Sequence, residues 1–265
     1  MKKNKHRKPA TKQLFSVADE NAPFTYVEAY KMLCTNLEFI TTAQDCKKIM
    51  VTSTIANEGK TNVSVNLALT LAGYDKKVCI VECDLRRPSI HKFLKAKRSD
   101  EGLTNVLKGE TTLEKAIKKV NGKNMDILLS GATPPNPSEL LASNKMKEVV
   151  DKLETIYDYV IYDTPPVLLV TDAAALGKYM DGALLVVKHN STEKGLALKA
   201  KSNLDSAGVK ILGAVYSIYS EKSAGSYSKY SSYNYYYYYG GYYGYGYGNE
   251  RKSKNKDNEN NDSEE

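Results

Sequence analysis

Ile49-Met50-Val51-Thr52-Ser53-Thr54-Ile55-Ala56-Asn57-Glu58-Gly59-Lys60-Thr61 is the stretch on which the fold turns. An apolar, β-branched run passes into a short loop closing in Gly-Lys-Thr. A helical pattern rich in Val, Leu and Ala follows, from 62 to about 72. Strand, loop and helix in that order are the context a Walker A motif requires. Backbone N–H groups at the helix start, around Asn57, Glu58, Gly59, Lys60, Thr61 and Asn62, are the expected cradle for nucleotide phosphates, helped by the helix dipole. Lys60 is expected to reach the β- and γ-phosphates, and the Thr61 hydroxyl to bind Mg²⁺. One position departs from the G-x-x-x-x-G-K-T pattern: its first residue is Thr54, not Gly.

Working outward, short apolar runs recur at 49–52, 78–81, 127–129, 159–162, 183–187 and 211–215. They alternate with helical patterns and are apolar on both faces. That predicts an α/β fold, a doubly wound and mainly parallel sheet with helices on both faces. Before it, Tyr26, Tyr30, Leu33, Leu37 and Ile40 recur at three- and four-residue steps, which predicts an amphipathic helix over 25–40.

Two of these strands end in carboxylates. The second runs into Glu82-Cys83-Asp84-Leu85-Arg86-Arg87-Pro88, and the fourth into Asp163-Thr164-Pro165-Pro166. Strand C-termini form the ligand edge of such a sheet. A single Asp there is often only a helix N-cap. Three acids converging on a phosphate loop point instead to Mg²⁺ and proton handling. Glu82 and Asp84 are two residues apart, so in a strand they share a face.

The bulk numbers bound the answer. A chain of 265 residues accommodates one well-buried α/β domain with unstructured ends. No stretch reaches the roughly 18 apolar residues of a membrane span, and the basic start leads into no apolar segment, so no secretory signal is expected. A cytoplasmic location follows as the expectation. The four cysteines, Cys34, Cys46, Cys79 and Cys83, form no C-x-x-C pair and read as reduced thiols. A net charge of +7 is modest and points to no nucleic-acid partner. Residues 1–22 read as a flexible basic arm and 23–219 as the nucleotide-binding domain. Residues 220–265, Ser/Gly/Tyr-rich and then charged, read as a disordered tail.

With these motifs in view, the sequence resembles the bacterial tyrosine kinases of capsule and exopolysaccharide synthesis, P-loop ATPases related to the cell-division and partition ATPases. The resemblance rests on Gly59-Lys60-Thr61, Asp84-Leu85-Arg86-Arg87-Pro88, Gly102-Leu103-Thr104-Asn105-Val106-Leu107, Pro134-Pro135-Asn136-Pro137-Ser138-Glu139-Leu140-Leu141 and Asp163-Thr164-Pro165-Pro166, together with a terminal tyrosine cluster. It implies an ATP- and Mg²⁺-dependent protein-tyrosine kinase. In that reading Lys60 and Thr61 bind phosphate and metal, Asp84 and Asp163 hold the metal, and Glu82 accepts the tyrosine proton. Such kinases usually carry Asp at that last position. It also implies a transmembrane activator that recruits the chain to the inner face of the membrane, a homo-oligomer and a reversing phosphatase. Where relatives carry Glu-x-x-Arg-x-x-Arg, this chain has Glu28, Lys31 and Cys34. Ser217 stands where an Asn commonly lies near the adenine.

The expected acceptors are Tyr227, Tyr230, Tyr233, Tyr235, Tyr236, Tyr237, Tyr238, Tyr239, Tyr242, Tyr243, Tyr245 and Tyr247. A flexible run of about 28 residues spans roughly 30 Å, enough to reach a neighbouring subunit's site. Each phosphotyrosine adds about −1.5 to −2 charges, so full modification would overwhelm the net positive charge. Two alternatives compete: a MinD- or ParA-like positioning ATPase, and a nucleotide-binding scaffold without kinase activity. The positioning ATPases carry an extra Lys early in the loop, where this chain has Ile55.

Overall fold

The computed structural model describes residues 16–42 and 46–217. The tyrosine cluster, the charged end and most of the basic arm lie outside the described residues. In chain order the elements are α1 (Phe24–Thr42), β1 (Lys48–Ser53), α2 (Lys60–Ala72), β2 (Val78–Glu82), α3 (Ile90–Phe93), α4 (Leu103–Lys108) and α5 (Leu113–Ala116). They continue with β3 (Lys118–Lys119), β4 (Met125–Leu128), α6 (Pro137–Ala142), α7 (Asn144–Ile156), β5 (Tyr159–Asp163), α8 (Asp172–Gly177), β6 (Gly182–Lys188), α9 (Lys194–Ser206) and β7 (Ile211–Ser217).

Among the described residues the strands form one seven-stranded sheet in the order β3-β4-β2-β5-β1-β6-β7. Every pairing is parallel except β3 with β4. Both faces are covered, and the strand residues alternate between them. Ile49 and Val51, Val78 and Ile80, and Leu184 and Val186 pack in the cluster with α1 and α2. Cys79, Val81, Val160 and Tyr162 face the opposite cluster with α4 and α7. Met50, Ala183 and Leu185 meet Ala173 of α8 and Ala200 and Leu204 of α9. This two-sided burial explains why the strands read as continuous apolar runs. All four cysteines are buried and unpaired, and burial raises the Cys34 thiol to about 12.

The helices follow their sequence patterns with local corrections. In α7, Met146, Val149, Val150 and Leu153 are buried on one stripe, and the Ser143 side chain caps it by accepting from the Met146 amide at 3.1 Å. Helix α1 buries Tyr30, Cys34, Leu37 and Thr41, a face rotated from the expected one: Ile40 is only half-buried. Within the segment assigned to the arm, Val17 meets the domain. The Val17 amide donates to Asn66 Oδ1 at 2.8 Å, and its side chain packs on the core. Strand β3 consists of two exposed lysines and carries no apolar signal; only its pairing with β4 defines it.

The parallel strands bring their C-terminal ends to one edge. There Val51 is opposite Asp163 on one side of β5, and Glu82 is opposite Asp163 on the other. No described helix is long and apolar enough to cross a membrane.

Candidate nucleotide site

The loop leaving β1 is built by two left-handed residues, Asn57 (φ 65°) and Gly59 (φ 91°). Asn tolerates that region better than most residues and Gly adopts it freely. Thr54 has no positive φ, so its local backbone does not require the missing glycine. The loop is braced by its own side chains, by the segment after β6 and by the end of β7. Glu58 is buried; its Oε2 accepts from the Ile55 amide at 2.9 Å, and its Oε1 accepts from the Thr192 hydroxyl. Ser217, at the end of β7, donates its hydroxyl to the Glu58 carbonyl. A Cβ on Gly59 would lie 3.5 Å from that same hydroxyl oxygen.

Helix α2 begins at Lys60, whose ammonium lies 2.9 Å from Asp84 Oδ2 and 3.7 Å from Asp163 Oδ2. Burial alone would lower the Lys60 pKa. The charges of Asp163 and Asp84 outweigh it, and the net shift is upward. Asp163 is fully buried. It accepts from the Thr61 hydroxyl at 2.8 Å on Oδ2 and from the Ser64 hydroxyl at 3.0 Å on Oδ1. Burial pushes its carboxyl above the ordinary range, and Lys60 with the two hydroxyls offsets part of that. Asp84 divides its oxygens: Oδ2 faces Lys60, while Oδ1 accepts from the Arg87 amide at 2.9 Å, a turn-capping contact. The contact closes a turn and not a helix, since α3 begins only at Ile90 with Ser89 before it.

The sequence-expected groups divide into two sets. Lys60, Thr61, Asp84 and Asp163 come together. Glu82 lies beside them but has both oxygens on backbone amides: Oε1 accepts from Ser89 at 2.5 Å and Ile90 at 2.7 Å, and Oε2 from Ser130 at 3.1 Å. The Asn62 side chain is turned to α1, where its Oδ1 accepts from the Tyr26 and Tyr30 hydroxyls at 3.1 and 3.0 Å. Arg86 is engaged with Asp172, the first residue of α8: Nε donates to Oδ2 at 2.9 Å and Nη2 to Oδ1 at 3.0 Å. Ser138 of the Asn-Pro-Ser-Glu segment donates to the same Asp172 Oδ1 at 2.5 Å. The Gly102 motif is structural. Gly102 lies so close to the chain leaving β4 that a Cβ would be 2.2 Å from the Leu129 carbonyl oxygen, while the Leu103 and Thr104 amides donate to Leu129 and Ser130.

Sequence reading missed Ser64, Ser89, Asp172 and Thr192. Ser64 alone carried a local signal, lying one turn from Lys60 and Thr61 on the same helix face. A cavity of about 370 Å³ opens beside Thr192, at the ends of β6 and β7, lined in part by Lys188, Asn190 and Tyr216.

The donors suit magnesium. A hydroxyl and two carboxylates are hard oxygen ligands, and Mg²⁺ is commonly held by one or two carboxylates beside substrate phosphates. Loop amides at a helix start, a lysine among carboxylates and this sheet edge together define a P-loop nucleoside triphosphatase.

Comparison with known proteins narrows the class. The AAA domain family matches residues 46–197. Tyrosine-protein kinase YwqD of Bacillus subtilis (strain 168) is 43% identical over 190 residues, covering 71% of this chain and 79% of that protein. The chimerical protein CapA2B2 superimposes with TM-score 0.69 at 32% identity, covering 75% of this chain and 86% of that one. The kinase domain of Escherichia coli tyrosine kinase ETK gives 0.68 at 36% identity over 73% and 77%. The cell division ATPase MinD of Pyrococcus furiosus gives 0.55 at 30% identity over 64% and 71%. The chain belongs to the bacterial tyrosine-protein kinases of the P-loop class, and the positioning-ATPase alternative is the less supported reading.

Proposed function

We propose that this chain transfers the γ-phosphoryl group of ATP to tyrosine hydroxyls, first those of its own residues 227–247, and thereby regulates assembly of a surface polysaccharide. The observation that carries the reading is the grouping of Lys60, Thr61, Asp84 and Asp163 at the end of β1, β2 and β5. In the transfer a tyrosine oxygen forms a bond to the γ-phosphorus and the bridge to the β-phosphate breaks. ADP leaves and the phenolic proton is released. Lys60 and the loop amides stabilise negative charge on the transferring group. Thr61, Asp84 and Asp163 are the residues that would hold Mg²⁺, directly or through water. When bound, the ion would supply neutralisation of negative charge on the triphosphate. A MinD from Pyrococcus horikoshii, 28% identical with TM-score 0.55, is complexed with Mg-ADP, which supports magnesium as the metal.

The cavity beside Lys188, Asn190 and Tyr216 is the place we assign to the nucleotide base. Thr192 on its wall touches Glu58 of the phosphate loop, so base and phosphates would be served by one continuous surface. A transmembrane activator, self-association, membrane recruitment through that activator and a reversing phosphatase complete the proposal, on the strength of the family resemblance. Incubating the full chain, with a cytoplasmic activator segment, in labelled ATP and Mg²⁺ and mapping the product tests it. Label on Tyr227–Tyr247 is expected; nucleotide hydrolysis without any phosphotyrosine would overturn the kinase reading.

A further inference from the structure

Three chain segments meet on one buried carboxylate at the edge of the nucleotide site. Asp172, the first residue of α8, is fully buried. Its Oδ2 accepts from Arg86 Nε at 2.9 Å, and its Oδ1 accepts from Arg86 Nη2 at 3.0 Å and from the Ser138 hydroxyl at 2.5 Å. The Ser138 oxygen also accepts from Arg86 Nη2 at 3.3 Å and from the Thr171 hydroxyl at 3.2 Å. Arg86 follows β2, Ser138 lies in the first turn of α6 after β4, and Asp172 follows β5. Those strands are neighbours in the order β4-β2-β5, so the cluster laces their C-terminal ends together. A buried ion pair seldom adds more stability than apolar packing of the same volume. What this one supplies is a fixed geometry among the segments it joins.

The two carboxylates expected at the metal sit on these same segments. Asp163 ends β5, and Asp84 follows shortly after the end of β2. The Cys83 amide donates to the Asp163 carbonyl at 2.8 Å, and Asp84 is the next residue. Beyond that bond, Lys60 bridges Asp84 and Asp163, and Arg86 ties the Asp84 turn to Asp172. The turn itself is closed by the Arg87 amide, which donates to Asp84 Oδ1 at 2.9 Å. A nucleotide whose phosphates draw Lys60 away removes the first of these bridges. The tie from Arg86 to Asp172 does not run through Lys60 and stays.

We propose that Asp172, with Arg86 and Ser138, is a positioning residue for the metal site. It fixes the Asp84 turn relative to Asp163, so that the spacing of the two carboxylates is kept when Lys60 moves to the phosphates. The proposal rests on the nucleotide-site reading above and adds to it a role for Ser138 of the Asn-Pro-Ser-Glu segment. All three residues act through Asp84 rather than on the reacting atoms.

The test uses the full chain in five forms: unaltered, Asp172→Asn, Arg86→Lys, the two combined, and Leu153→Ala. Lys keeps a positive charge but lacks the two-pronged fork of Arg. Leu153 is buried in α7, and its truncation destabilises through a cavity rather than through the clamp. Amide exchange at Arg87 is followed without metal or nucleotide. Mg²⁺ is then titrated at fixed fluorescent ATP analogue to give its half-saturating concentration, and tyrosine transfer is measured in parallel. Both single variants should speed Arg87 exchange and raise half-saturating Mg²⁺ about threefold or more, out of the roughly fivefold that one hydrogen bond is worth. The combined variant should match the weaker-binding single, because both changes cut one tie. Leu153→Ala should lower thermal stability and leave half-saturating Mg²⁺ unchanged. If Asp172→Asn does not fold, Arg86→Lys decides. A smaller rise in the single variants, unaltered exchange at Arg87, additive losses in the combined form, or an equal rise in Leu153→Ala would overturn the proposal. Coupled effects on Mg²⁺ and Arg87 in a chain that transfers no phosphate to tyrosine would uphold it and sink the kinase reading.

Discussion

Removing Arg86 should cost more than removing the charge it neutralises. The Asp172 side chain is 0% exposed and that of Arg86 is 41% exposed. The fork makes two hydrogen bonds, and the Asp172 pairing raises the Arg86 pKa further. In Arg86→Ala a buried carboxylate keeps only the Ser138 hydroxyl. Stranding one member of a fully buried pair costs roughly 3–5 kcal/mol. Because one end of this pair meets water, about 2 kcal/mol is the expected loss. Asp172→Asn removes the charge, keeps an acceptor and leaves Arg86 free to turn to solvent, for about 1 kcal/mol. The double variant should therefore recover stability relative to Arg86→Ala. Urea denaturation of all four forms measures this. At roughly 2–4 °C per kcal/mol for a domain of this size, Arg86→Ala should lower Tm by about 4–8 °C. Equal losses in the two single variants, or additive losses in the double, would refute the reasoning.

Lys60→Met should reduce tyrosine transfer about a hundredfold or more with the circular dichroism spectrum retained, as checked by phosphotyrosine blotting; undiminished signal would remove Lys60 from the chemistry. Gly102→Ala must displace the chain leaving β4 to seat its Cβ, and a loss of about 2–3 kcal/mol is expected in the same denaturation assay. Tyr216→Ala, on the wall of the cavity next to the phosphate loop, should weaken ATP binding several-fold while leaving inorganic triphosphate binding unchanged in a competition titration.

What could be read in advance was local. The strands, the phosphate loop and the helix after it are encoded in contiguous residues: apolar runs buried on both faces, Gly-Lys-Thr, and a stripe such as Met146, Val149, Val150 and Leu153. Asp84 and Asp163 were legible because strand C-termini share one edge. The rest depended on partners distant in sequence. Arg86 and Asp172 are 86 residues apart and Thr192 and Glu58 134 apart, and neither pairing leaves a trace in spacing. The partners of Glu82 were hidden for the same reason, since they are backbone amides of Ser89, Ile90 and Ser130, which any residue type could supply. The Asn62 side chain is held by two tyrosines of α1, partners that nothing in its own segment shows. Strand β3, two lysines, exists only through pairing geometry.

A crystal structure of the full chain with Mg²⁺ and a non-hydrolysable ATP analogue tests the central claim most directly. Lys60 should leave Asp84 for the β- and γ-phosphates, with Thr61, Asp84 and Asp163 gathered around the metal and the triphosphate lying along the Asn57–Thr61 amides. A triphosphate bound away from that loop, or Asp84 and Asp163 drawn apart from the ion, would contradict it.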